Sequence, residues 1–158
     1  MVNKLEIMRE VANFASATSF SGVGGPFGAA IVKDGDIICI TSNKVLSDND
    51  PTAHAEITAI REACKKLNTY DLTGCELYAT GSPCPMCLSA IIWANIKKVY
   101  YCNDYEEAAE IGFRDDFIYQ YLRMADPTES TLVTLQRLEV PEGKKLYSNY
   151  VKRNSTIY

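Results

Sequence analysis

The chain has a single histidine, His54, and it stands two residues before an acid in the run Thr52-Ala53-His54-Ala55-Glu56. Further along, Pro83-Cys84-Pro85-Met86-Cys87 carries two cysteines three apart. Imidazole and thiolate are ligands that zinc takes in a tetrahedron. A turn opening a helix can aim residues three apart at one point, so Cys84 and Cys87 can share a metal ion. His54 and Glu56 pose a different problem, because two residues apart in mid-helix they face different ways. They converge only where the metal lies beyond a helix N-terminus. Both segments then turn the positive end of a helix toward the metal, which favours thiolates. Three ligands, His54, Cys84 and Cys87, leave a fourth position for water, as in a catalytic rather than a structural zinc site. Zinc lowers the pKa of a bound water to about 7. Glu56 is not needed as a ligand and can carry protons between that water and a substrate.

Two plainer arrangements use the same residues. A closed zinc knot would take a fourth ligand from Cys39, Cys64, Cys75 or Cys102, and would leave Glu56 without a role. A redox C-x-x-C would use no metal. Taken together, H-x-E followed by P-C-x-x-C resembles the signature of the zinc-dependent nucleobase deaminases, in which the glutamate is not a metal ligand. The resemblance implies hydrolytic deamination, with Glu56 also protonating a ring nitrogen and the departing amine.

The elements around these residues are readable. Residues 4–18 have helical spacing, with Leu5, Met8, Val11 and Phe14-Ala15 on one side and Asn3 as cap. Residues 21–28, SGVGGPFG, form a loop broken by glycine and proline. Two apolar runs, 27–33 and 36–41, flank Asp34-Gly35 and predict a hairpin. Asp50 as cap and Pro51 in the first turn predict a helix running to about Asn68. Strands are expected at 75–80, 97–102 and 131–140, and helices at 85–95, 105–112 and 115–122. Residues 142–158 are polar, with spaced aromatics. The order predicts one domain over 1–158, a three-layer α/β/α fold around a central mixed five-stranded sheet.

Composition bounds the partners. The chain has 158 residues, 47% of them hydrophobic and 23% charged, with a net charge of −4. That suits one core and carries no apolar run of the roughly 18–20 residues a membrane span needs. The N-terminal stretch reads as an amphipathic helix rather than a secretory signal. No basic stripe offers the several phosphate contacts that nucleic acid binding uses. A small substrate, with no nucleic acid and no membrane, is the expectation. Without an export signal, the six cysteines read as reduced thiols in the cytoplasm, and Cys39, Cys64, Cys75 and Cys102 as packing residues.

A wider resemblance spans nearly the whole chain. GGPFGAAIVKDG (24–35), DPTAHAEITAIREACKKLN (50–68), SPCPMCLSAIIWA (82–94) and EIGFRDDFIY (110–119) are similar to blocks of bacterial guanine deaminases in the cytidine deaminase-like superfamily. Plant guanosine deaminases are similar in the same blocks. The resemblance implies that Asn43 hydrogen-bonds a purine and that Phe27 and Trp93 hold its faces or edges. It implies that the Ala55 backbone touches the substrate and that Asp115 binds the protonated ring edge and relays protons. It implies a homodimer in which the C-terminal segment, about 140–158, is swapped, so that Tyr158 closes the partner subunit's pocket. One departure is that Gly81-Ser82 precede the metal loop where the family commonly has an acid. Each pocket residue also has an ordinary role open to it: a turn for Asn43, core for Phe27, helix packing for Trp93, a cap for Asp115, a frayed end for Tyr158.

Asp115 points to guanine on chemical grounds. Guanine offers a ring N–H and an amino group on one edge, and a carboxylate accepts from both. Cytosine presents an unprotonated nitrogen there, and the unpaired polar groups would penalise it. The expected reaction is guanine and water to xanthine and ammonia. Its rivals are guanosine, triazine or another aminopurine as substrate, tRNA adenosine, and a non-catalytic zinc-binding adaptor.

Overall fold

The computed structural model describes residues 3–126 and 130–158. These fall into two compact units, Met1–Tyr119 and Gln120–Tyr158.

In the first unit the core is built around a hairpin. Strands β1 (Gly28–Lys33) and β2 (Asp36–Ser42) pair antiparallel. Asp34 and Gly35 between them both take positive φ, 52° and 89°, the backbone of the tight turn that Asp-Gly favours. β1 also pairs antiparallel with β3 (Cys75–Gly81), and β3 pairs parallel with β4 (Lys98–Asn103). The sheet is mixed, as expected, in the order β2-β1-β3-β4.

The central strand β1 is buried from Gly28 to Val32, so its alternate residues enter two cores. Ala30 and Val32 join Tyr78, Ile7 and Val11 on the face covered by α1 (Lys4–Phe20). Ala29 and Ile31 join Leu77, Ala79, Ala55, Ala59, Ala63 and Ile91 on the face covered by α3 (Ala55–Leu67) and α4 (Pro85–Trp93). Helices thus lie on both faces of the sheet. Of the expected stripe of α1, Val11 and Ala15 are buried together with Ile7, whereas Leu5 and Phe14 are exposed. Close approach selects the buried set, because a Cβ on Gly28 would come within 2.9 Å of Ala15 Cβ.

Three expectations are corrected. The sheet has four strands, not five. Residues 131–140 are exposed and form no strand, because β-prone side chains define a strand only where a neighbour supplies the ladder. The helix expected from Asp50-Pro51 begins at Ala55. Asp50 instead closes its own turn, with Oδ1 accepting Thr52 N–H at 2.8 Å and Thr52 Oγ1–H at 2.7 Å. A short helix α2 (Val45–Asp48) precedes it, and α5 (Tyr105–Glu110) and α6 (Asp116–Leu122) follow β4. In the second unit, residues 141–152 form a helix, α7 (Pro141–Lys152), in the stretch read as polar chain. None of the described residues of Gln120–Tyr158 is buried.

Candidate active site

Two helix N-termini carry the metal-ligating residues. His54 is the N-cap of α3, extended at φ −63° and ψ 155°, so its ring projects ahead of the helix. Cys84 is the N-cap of α4, Pro85 fills its first turn and Cys87 follows one turn on. Proline suits that first turn, where a missing N–H costs no hydrogen bond. Neither cap residue uses its side chain to cap, which leaves imidazole and thiol for other work.

The donor atoms converge. His54 Nδ1 lies 3.6 Å from Cys84 Sγ and 3.6 Å from Cys87 Sγ, and all three atoms lie within 4.8 Å of one another. At zinc–sulfur and zinc–nitrogen lengths of about 2.3 and 2.0–2.1 Å, tetrahedral angles put nitrogen and sulfur about 3.6 Å apart. Both nitrogen–sulfur separations therefore match those of ligands sharing one zinc ion. Among the described residues no other cysteine joins it, so the four-ligand knot is excluded. Cys39 and Cys75 are core residues and Cys64 packs against them. Cys102 departs from expectation: it is exposed, its thiol donating to Thr80 O at 3.1 Å.

The electrostatics suit a bound cation. A hydrogen bond from Cys87 holds the Cys84 thiol well below the ordinary cysteine value, and His54 adds to this. Interaction with Cys84 raises His54. Glu56, only 8% exposed, has its carboxyl pushed up by burial, and the nearby Cys84 adds to the shift. It also contacts the Cys87 thiol, which puts an acid that is not one of the three ligands directly beside them.

The other expected residues divide. Asp115 is half-buried, and its carboxyl is raised by desolvation and by Cys84. Its backbone oxygen caps α6 by accepting Ile118 N–H at 3.0 Å. A hydrogen bond from its own backbone N–H partly offsets that rise, and no other side chain pairs with the carboxyl among the described residues. Asn43 is buried at the end of β2, and its N–H donates to Phe27 O at 2.9 Å. Phe27 packs against the core and meets Phe113 edge-on at 5.0 Å. Ala55 opens α3 directly between His54 and Glu56. The structure does not bring Trp93 to the triad within one chain. It ends α4, about 13 Å of helical rise from Cys84, and is 72% exposed. Tyr158 belongs to the second unit and is exposed. Sequence reasoning missed Thr41, a buried residue whose hydroxyl donates to Ala55 O at 2.8 Å and steadies the turn between His54 and Glu56. It also missed Phe113. Nothing in their spacing signals either.

Residues 1–103, which include His54, Glu56, Cys84 and Cys87, match the model of the cytidine and deoxycytidylate deaminase zinc-binding region. The chain belongs to the cytidine and deoxycytidylate deaminase family. Within this deaminase family it is 45% identical to guanine deaminase of Bacillus subtilis over 141 residues, 89% of each chain. It is 54% identical to the tRNA-specific adenosine deaminase of Aquifex aeolicus over 135 residues, 84% of this chain and 85% of that one. The X-ray structure of the Bacillus subtilis guanine deaminase superposes with a TM-score of 0.90 at 42% identity, covering 99% of this chain and 98% of that one. The metal of this family is zinc, and His54, Cys84 and Cys87 are positioned to hold it.

Proposed function

We propose that this deaminase converts guanine and water to xanthine and ammonia. The observation that carries guanine is Asp115, a half-buried carboxyl that lies within electrostatic reach of Cys84 and interacts only with its own backbone N–H and nearby charge. It would accept from the ring N–H and the amino group, turning the C2 amine toward the metal. Likeness to guanine deaminase along the whole chain supports the same reading.

Zinc supplies Lewis acidity that makes a water nucleophilic at neutral pH. Glu56 takes that water's proton as oxygen bonds to C2 and passes it to the adjacent ring nitrogen; it then takes the proton of the new C2 hydroxyl and gives it to the amine as the C2–N bond breaks and the C2 carbonyl forms. Buried beside Cys87, it needs no solvent to do this. Asn43 and Phe27 hold the purine, and the Ala55 backbone touches it. Trp93 ends α4 and is exposed, and its ring holds an edge of the purine.

The Aquifex aeolicus relative gives a second reading, adenosine in tRNA. The net charge of −4 opposes it, since a tRNA backbone selects for clustered Lys and Arg.

We also infer a homodimer with the C-terminal segment exchanged. No described residue of Gln120–Tyr158 is buried, although Leu135, Leu138, Leu146, Tyr147 and Val151 are apolar. On α4, Leu88, Ile92 and Trp93 form an exposed apolar edge. Surfaces of this kind mark contact sites. In that arrangement Tyr158 covers the partner subunit's pocket on the side where a nucleoside carries ribose, favouring the free base. Six free thiols fit a cytoplasmic enzyme, and no helix among the described residues is long and apolar enough to cross a membrane.

The test is ammonia release by zinc-loaded protein from guanine, guanosine, adenine, cytosine and cytidine, with inosine formation in tRNA measured alongside. Release from guanine alone is expected. Release mainly from guanosine, or inosine in tRNA without guanine turnover, overturns the proposal.

A further inference from the structure

Asn43 is held in an unusual way. Its Oδ1 accepts two main-chain N–H groups, from Gly25 at 3.3 Å and Val45 at 3.1 Å. Main-chain N–H groups only donate, so the carboxamide cannot turn over without setting its NH2 against both. The Nδ2 group is therefore the part left for a ligand. No buried side-chain nitrogen or oxygen among the described residues lacks a partner, and Nδ2 makes no hydrogen bond among them. It must therefore reach open space.

The loop that brings Gly25 to Asn43 depends on Gly24. A Cβ at Gly24 would fall inside 3 Å of the Asn43 Oδ1, its backbone oxygen and its carbonyl carbon. Two of these atoms are backbone and cannot swing away. The requirement is for space rather than for a left-handed backbone, since Gly24 is not among the positive-φ glycines.

We propose that Gly24 is a positioning residue, whose missing side chain lets loop 21–28 close on Asn43 and fix its carboxamide with the NH2 outward, so that the site takes a ligand acceptor atom at that point. This rests on the reading of the site as a purine pocket. Guanine meets it: the carbonyl oxygen and unprotonated ring nitrogens are acceptors, while Asp115 takes the donors. A fixed donor at one place and a fixed acceptor at another orient the ring in a single way.

Two variants and one exchange measurement test this. N43D keeps an oxygen for the Gly25 and Val45 N–H groups but replaces the outward donor by an acceptor. Guanine kcat/KM should fall about 10-fold or more, with zinc content and melting temperature held. G24A should lower kcat/KM similarly in the parent and have no further effect in N43A, since a residue acting through another is non-additive with it. Full effect of G24A in the N43A background, or an unchanged N43D, overturns the proposal. Hydrogen exchange at the Gly25 and Val45 amides needs no substrate. Both should lose protection in G24A, and unchanged protection overturns the lock whatever the protein deaminates. A parent inactive on guanine whose amides do lose protection would instead refute the substrate and leave the lock supported.

Discussion

Glu56 and Asp115 are two carboxyls in different settings at one site. Glu56 is buried against Cys87 and Asp115 is half-buried near Cys84. Environment gives such pairs different tasks, here proton transfer for Glu56 and substrate reading for Asp115. Asp115→Asn should keep the metal and cut guanine kcat/KM about 10–100-fold, because an amide nitrogen would face a donor where the carboxylate accepted one. Steady-state kinetics with zinc analysis on the same samples checks this, and full activity would remove Asp115 from the pocket. The metal ligands were legible in the sequence because zinc accepts few residue types at few spacings. Asp115 and Asn43 became candidates only through family resemblance. The grip of Gly24 on Asn43 and the hydrogen bond from Thr41 to Ala55 were not, since they arise from close approach between segments distant in the chain.

At the scale of elements, local chemistry succeeded where it had no competitor. Asp34-Gly35 predicted its hairpin, and the helix expected at 85–95 does begin at Pro85. Asp50-Pro51 misled, because the same residues satisfy a self-contained turn and leave His54 to begin α3. That displacement matters for function: a helix begun at Pro51 would put His54 and Glu56 in mid-helix, facing apart. Residues 131–140 misled through composition that is strand-like without a ladder. The α1 face of the sheet carries a testable device of its own. Tyr78 is buried against α1 and donates to Glu76 Oε2 at 3.2 Å. Burial, reinforced by Glu76, pushes its phenol up to about 12 from 10.0. Between those values the unfolded chain releases the proton and the folded one holds it. Stability from this group is therefore whole below pH 10 and lost as pH rises to about 12. Urea melts across that range should show a shallower loss in Tyr78→Phe than in the parent. Equal slopes would refute the assignment.

For the whole molecule, the two units differ in kind. Met1–Tyr119 holds every buried residue described, in two cores on either side of the sheet, and carries the metal site. Gln120–Tyr158 has amphipathic sequence and no buried residue among those described, and a segment that small does not hold a fold without burying apolar surface elsewhere. A second copy of the chain is the partner our account assigns. Light scattering should give twice the chain mass, and a monomer at assay concentration would contradict the exchange. Removing residues 154–158 should weaken guanine turnover, leave zinc bound and let guanosine in; unchanged kinetics would show that Tyr158 covers nothing.

The measurement that bears most directly on the account is turnover of guanine by zinc-loaded Glu56→Gln. Glutamine keeps the volume and leaves all three ligands in place, but it cannot take up and release a proton. The account predicts an unchanged zinc content and a loss of at least roughly 10²-fold in kcat/KM. A variant that holds its zinc and turns over guanine at the parent rate would contradict the role of Glu56 and, with it, the mechanism.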